Sequence, residues 1–507
     1  MKSMLRIKEP RLEFGHGQAL EDPRDGLNLF GPYDRGLGSA YGIRAGVIGT
    51  QTGIKRFKNW VTSIQKPIGI LDATRFRPPF PGFEAAFQVA WNPEPTIQIE
   101  IDPSELIRDI SIDDKYKRIF DTVELFASKL AEAKVSEEER PDLWFVVIPD
   151  EVYKLCRPES IVPVADRIEA VGKMKPAVAR TFIRQKALFS DLEQEAEPYH
   201  YEPDFRQQLK GRLLWDGILT QIIRESTIAP FEFVNAFGHP VRGLGKRTAE
   251  VAWNLASAAY YKAGARPWKL SGVRPGVCYI GLVYKNDEKS IDASAACCAA
   301  QMFLDSGDGV VFKGRVGPWY TGKRGRYHLS QVAAEEILTK AIADYKKKRG
   351  NAPDEIFIHG RTRFDDEEWK GFAKAAGDST KIVGVTIRRA DDFRLFRRDS
   401  DMPVLRGLAV INNERHAFLA TNGFVPRLQT YYGSEVPVPL SVEINRGDAD
   451  IEIVLRDILG LTKLNYNSCR HSDGTPVTLK FADAVGEILT SGPPRDDDPP
   501  LPFRHYI

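Results

Sequence analysis

The sequence is short of several things that would have placed it in a specialised class. It has five cysteines, at positions 156, 278, 297, 298 and 469, and none stands in a CxxC or Cys/His spacing that would hold zinc. That excludes a disulfide scaffold and predicts reduced, buried thiols. No run of eighteen apolar residues occurs, which argues against a membrane-spanning helix. The opening MKSMLRIKEPRLEF turns polar at once and lacks the apolar centre of a secretory signal, so a cytoplasmic location without membrane attachment is expected. An excess of one charge is also missing. The 71 Lys and Arg against 69 Asp and Glu leave a net +2, which by itself neither favours nor excludes a polyanionic partner.

What is present is ordinary in bulk. A length of 507 residues, 42% hydrophobic and 28% charged, suits a folded chain of about two to four domains. Residues 1–105 are rich in Gly and Pro, and the short apolar runs RAGVIGT, PIGILDA, FEAAFQVAW and TIQIEI read as strands and connections, with a helix over 53–65. The pattern over 116–134 is helical, 143–148 is an apolar strand, and a helix starts at Asp150. This alternation predicts a parallel α/β sheet of Rossmann type over 106–260. The second half, 261–507, reads as three antiparallel strands (277–284, 296–304, 309–317), then helix 329–348, strand 355–359, helix 365–376 and strand 381–387. That order fits an RNase H-like fold. Asp365-Asp366-Glu367-Glu368 reads as the cap and first turn of a helix rather than as metal ligands.

Charge is distributed less evenly than its total suggests. Between Arg206 and Arg274 there are eleven Lys and Arg but four Asp and Glu, a patch suited to a polyanion. Within it, Arg206 and Lys210 are four residues apart and share one helix face. Gln221 follows after the turn at Trp215-Asp216-Gly217, and Lys262 ends a second helix before Gly264. Two or three cations and an amide donor suit a terminal phosphate, whose oxygens take several charge-assisted hydrogen bonds. Arg224, Lys246 and Arg266 are weaker candidates for neighbouring backbone phosphates.

The order Arg206-x3-Lys210, Gln221, Lys262 resembles the guide-5′-phosphate pocket of Argonaute MID domains. The segments LNLFGPYDRG, LWFVVIPDEVYK, LTQIIREST, VAWN…YYKAG and GVCYIGLVY extend the likeness to a short prokaryotic Argonaute, of the kind found beside a TIR–APAZ protein. The resemblance implies a MID domain over 106–260 and a PIWI domain over 261–507. It implies a small 5′-phosphorylated guide RNA and a complementary single-stranded DNA target as partners. It also implies an APAZ-containing effector in a heterodimer that oligomerises on activation, the effector's TIR domain then degrading NAD and killing the invaded cell. The ending LPFRHYI, delivered by the Pro-rich tract before it, implies that the Ile507 carboxylate enters the MID pocket and shares a structural Mg2+ with the guide phosphate.

Active PIWI domains need converging carboxylates to hold two cations about 3.5–4 Å apart. Val283 stands where the first Asp belongs, Gly360 and Arg361 where another follows a strand, and Asp483 is a possible remnant of the last. The chain is therefore expected not to cut. Three rivals stay open: a guided nuclease using Asp287, Asp305, Asp308 or Asp483, the same sensor with a sirtuin-like or nuclease APAZ effector, and a plain nucleic-acid binder that uses no guide.

Overall fold

The computed structural model describes residues 3–35, 42–136, 140–183, 190–286, 295–304, 309–313, 317–318, 328–398, 400–433, 435–493 and 501–507. The apolar run LWFVVI is buried at every position, as a strand covered on both faces must be. It forms the interior of a four-stranded parallel sheet ordered Ile97–Glu100, Ala45–Gly49, Leu143–Ile148, Thr220–Arg224. Alternate residues go to opposite sides. Phe145 and Val147 join Phe57, Trp60 and Ile64 of helix Gln51–Ile64. Trp144 and Val146 join Val123 and Phe126 of helix Lys115–Ser136 and Leu209 of helix Phe205–Trp215.

The second half builds an eleven-stranded mixed sheet. Val277–Asn286, Ala295–Leu304 and Gly309–Lys313 run antiparallel in sequence. Glu355–Gly360 and Lys381–Arg389 then add in parallel register on the other side of Val277–Asn286, reached through helices Gln331–Arg349 and Asp366–Ala376. Three antiparallel strands followed by parallel crossovers are the RNase H-like order. Asp365 caps its helix in a reciprocal box: its carboxylate accepts from Glu368 N at 2.9 Å, and Glu368 Oε1 accepts from Asp365 N at 3.1 Å. At Gly281, in the middle of this sheet, an added Cβ would lie 1.8 Å from the Thr478 carbonyl oxygen, so only glycine lets the helix Val477–Lys480 approach.

Residues 1–105 are divided between the two sheets. Ser3–Arg6 pairs with Leu408–Asn413 at the far edge of the large sheet, whereas Ala45–Gly49 and Ile97–Glu100 belong to the parallel one. Two of the four apolar runs there are not strands. FEAAFQVAW contains a helix, Phe83–Phe87, because Phe83, Ala86 and Phe87 all find buried positions at helical spacing, with the two Phe rings stacked at 5.0 Å. PIGILDA makes a single bridge, Ile68 to Phe80, and its Leu71 is fully exposed. A buried ionic cluster ties the first residues to the last third of the chain. Glu9 accepts from Arg406 Nε at 3.1 Å and Lys463 Nζ at 2.7 Å. Burial alone would raise the Glu9 pKa, but Arg406, Lys463 and His471 together hold it well below the usual carboxylate range. Cys156, Cys278 and Cys469 are buried and in no disulfide.

Candidate functional site

Helix Phe205–Trp215 runs back along the parallel sheet, so its N-terminus lies at the carboxyl ends of the strands, where sheets of this kind bind ligands. Asp204 caps it, accepting from Gln207 N at 3.0 Å. The first turn opens on a cavity of about 440 Å³ whose lining includes Tyr153, Arg206, Lys210, Gln221, Lys262 and Ile507. The free amides and dipole of a helix N-terminus favour an anion there.

Two ammonium groups meet at the cavity floor. Lys210 is 4% exposed and Lys262 is 2% exposed. Both donate to one atom, the Ile507 carbonyl oxygen, at 2.7 Å and 2.6 Å. Lys262 also donates to Gln221 Oε1 at 2.7 Å and to the Thr220 carbonyl at 3.0 Å. Burial pushes Lys262 down to about 7, with Arg206 adding repulsion. Burial, Lys262 and Arg206 push Lys210 well below its ordinary value. Among the described residues no acidic side chain pairs with either lysine. Two cations buried together repel, so an anion entering the cavity lowers a cost that the Ile507 oxygen offsets only in part.

Ile507 is brought there by its own neighbours. Leu501–Pro502 pairs with Val310–Val311 at the edge of the large sheet. Phe503 then packs edge-on against Phe303 and Phe481, and Tyr506 and Ile507 are each 3% exposed.

The remaining candidates are placed differently. Arg206 is exposed and lines the cavity. Arg224 also lines it, its guanidinium 3.8 Å from the Tyr153 ring centroid and 3.7 Å from Asp150. Lys246 is exposed on the turn Leu244–Lys246, outside the lining. Arg266 is outside it too, forked onto Asp34 at 2.8 and 2.9 Å. Much of the basic excess over 206–274 is answered in this way by acids from elsewhere: Arg212 by Glu124, Lys269 by Glu13, Arg274 by Glu355 and Asp457. The sequence reading missed Tyr153 and Arg157. Arg157 donates to the Tyr153 hydroxyl at 3.1 Å and lies over the same ring as Arg224, at 4.9 Å. Their signal was the four-residue spacing in VYKLCR.

The second group of candidates gathers on the large sheet. Val283 pairs with Ala299 in register, and Gly360 ends the strand Glu355–Gly360. Arg361 grips both oxygens of Asp483, at 3.0 and 3.1 Å. His359 is buried beside Thr478 Oγ1 at 2.9 Å, and burial lowers it to about 3, so its ring is neutral. Asp287, Asp305 and Asp308 lie outside the described residues. His328, Asp365 and Glu368 cluster closely enough to hold a cation. Glu368, however, already accepts from the Asp365 and Leu329 backbone amides as part of the helix cap.

The same two-sheet arrangement occurs in solved Argonaute structures. Clostridium butyricum Argonaute bound to a guide DNA and a 19-mer target DNA matches with a TM-score of 0.60 at 17% identity, covering 97% of this chain and 53% of that one. Aa-Ago with externally bound siRNA matches with a TM-score of 0.52 at 14% identity, covering 99% and 56%. This chain has an Argonaute fold. It spans about half the length of either Argonaute. The Lys210–Lys262 cavity is lined both by the parallel-sheet half, through Ile148 and Gln221, and by the later part of the chain, through Asn467 and Ile507. No protein-family profile and no curated protein matches the sequence. Among the described residues, no helix is long and apolar enough to cross a membrane.

Proposed function

We propose that this chain binds a small guide nucleic acid, an RNA by the sequence resemblance, through its 5′ phosphate and uses it to recognise a complementary single strand of DNA. The observation that carries this reading is the convergence of Lys210, Lys262 and Gln221 on one cavity at a helix N-terminus, with Arg206 at its mouth. A phosphate there receives charge-assisted hydrogen bonds from two ammoniums and an amide. Sequence specificity then comes from guide pairing, the protein supplying backbone and shape contacts. The two neighbours, as described, hold guide and target DNA in one case and siRNA in the other.

The donor set also suits a magnesium ion. The carboxylate of a chain-terminal Ile507, the Gln221 side-chain oxygen and the phosphate itself are hard oxygen ligands, the kind Mg2+ takes together with waters. Ile507 and Gln221 would hold the ion, and its charge would offset that of the phosphate.

The chain is proposed to sense rather than to cut. Val283 and Gly360 offer no carboxylate and Asp483 is paired with Arg361, which opposes the guided-nuclease reading. The signal passes to an APAZ-bearing effector, with a TIR-type NADase favoured over sirtuin-like and nuclease alternatives by the sequence resemblance. The complex acts in the cytoplasm as a heterodimer that oligomerises on target recognition, depleting NAD in the invaded cell.

The test compares 5′-phosphoryl and 5′-hydroxyl RNA, with the co-expressed partner present, for wild type and the Lys210→Ala/Lys262→Ala variant. A strong 5′-phosphate preference that the double change removes is expected. Equal binding of both RNAs by wild type sinks the anchor and leaves a plain nucleic-acid binder. Addition of complementary DNA to the guide-loaded heterodimer should then trigger NAD loss, which the chain alone does not catalyse.

A further inference from the structure

The chain between the cavity and helix Thr248–Lys262 is a small ordered hairpin. Val234 bridges Pro240, Val241 N donates to the Phe233 carbonyl at 2.9 Å, and Asn235 Oδ1 caps the tip by accepting from Phe237 N and His239 N at 3.0 and 3.1 Å. Its base is pinned beside the site. Arg56 reaches Glu232 at 2.7 Å and lies 4.7 Å over the Phe233 ring. Arg242 donates to the hydroxyls of Ser226 and Thr227, and Thr227 lines the cavity.

Its surface is unusual for an ordered loop in water. Phe237 is 85% exposed and Phe231 65%, with Val234 and Val241 also exposed. Exposed Arg242, Lys246 and Arg247 follow within the same segment, where an added Cβ at Gly245 would lie 3.1 Å from the Phe231 ring, whereas the acid of the hairpin, Glu232, is already paired with Arg56. Exposed rings interleaved with cations, continuous with a phosphate site, form the combination that holds single-stranded nucleic acid by stacking and backbone attraction.

We propose that this hairpin is a second nucleic-acid subsite, in which Phe237 or Phe231 stacks on a base of the anchored strand while Lys246 and Arg247 face its backbone. The proposal rests on the phosphate-anchor reading above. The charge decides between occupants: an apolar tip flanked by three cations complements a polyanion better than a neutral protein surface.

The experiment uses 5′-phosphorylated RNA carrying 2-aminopurine at one of its first four positions, bound to the full chain with its partner. Wild type should quench the probe at one of those positions. Phe231→Ala/Phe237→Ala should relieve that quenching and weaken binding on the order of tenfold, the scale of one lost stack. The ratio of 5′-phosphoryl to 5′-hydroxyl affinity should not change, and Phe231→Trp/Phe237→Trp should restore quenching. Unchanged affinity and quenching in the alanine variant overturn the proposal. So does a variant that binds RNA normally but no longer holds its partner, which would make the hairpin a protein-docking surface. Failure of the underlying reading appears separately, as a wild type without 5′-phosphate preference. Phe231→Ala and Phe237→Ala made singly report which of the two rings stacks.

Discussion

If the cavity takes a 5′ phosphate as proposed, Lys262 makes that binding depend on pH. Burial, with Arg206 nearby, brings it to about 7 in the empty protein. Its protonated fraction, the form that binds phosphate, therefore falls roughly tenfold between pH 6 and pH 8. A terminal phosphate, with its second pKa near ~6, gains about twofold in dianion over the same range and offsets part of this loss. Affinity for 5′-phosphoryl RNA should thus drop about fivefold from pH 6 to pH 8, while 5′-hydroxyl RNA shows no such drop. Binding at pH 8 should take up about one proton, read by calorimetry in buffers of different ionisation enthalpy. The same group acts on folding with the opposite sense. Its folded pKa lies below the unfolded value, so between pH 7 and about 10 the unfolded chain holds more protons and this group's contribution to stability rises with pH. Lys262→Met should remove both trends together. A fivefold loss that persists in Lys262→Met, or a flat profile in wild type, refutes the assignment of the buried ammonium to the phosphate.

Other outcomes follow from the packing. Gly281→Ala should lower stability by about 1–3 kcal/mol by thermal unfolding, because its Cβ meets the backbone of Thr478 at 1.8 Å and a backbone atom has little room to yield. Arg406→Met should cost about 3–5 kcal/mol by urea unfolding, since it leaves the buried Glu9 short of a partner and the Thr421, Leu459 and Thr462 acceptors unanswered. Asp483→Asn should change stability by less than about 1 kcal/mol, because its pair with Arg361 is more than half exposed. The same variant should leave a labelled target uncut, as wild type does; cutting by wild type that Asp483→Asn abolishes would restore the nuclease reading.

The legible parts of the sequence were those where one periodicity dominated. LWFVVI read as a strand because six apolar residues in a row suit a position covered on both sides, and the strand spans Leu143–Ile148. Asp365-x-x-Glu368 read as a cap because both side chains have a backbone amide to meet, and both meet one. FEAAFQVAW misled because its aromatic residues fit strand and helix alike, and tertiary burial of Phe83 and Phe87 decided between them. At the site, the spacing of Arg206, Lys210, Gln221 and Lys262 was informative since one helix, one strand edge and one helix end are each local. The fork of Arg266 on Asp34 was not visible, because its partner lies 232 residues away. Spacing did not place Ile507 between the two lysines; the resemblance and the apolar Phe503, Tyr506 and Ile507 pointed to a docked ending, while Phe303 and Phe481, the partners of Phe503, were not visible in LPFRHYI.

The most direct test of the account is a structure of the chain, with its partner, bound to a 5′-phosphorylated guide. The account predicts the terminal phosphate in the Lys210–Lys262 cavity, its oxygens within about 2.7–3.2 Å of both ammonium groups. A guide whose 5′ end lies elsewhere, with Lys210 and Lys262 still closed on Ile507 alone, would contradict it.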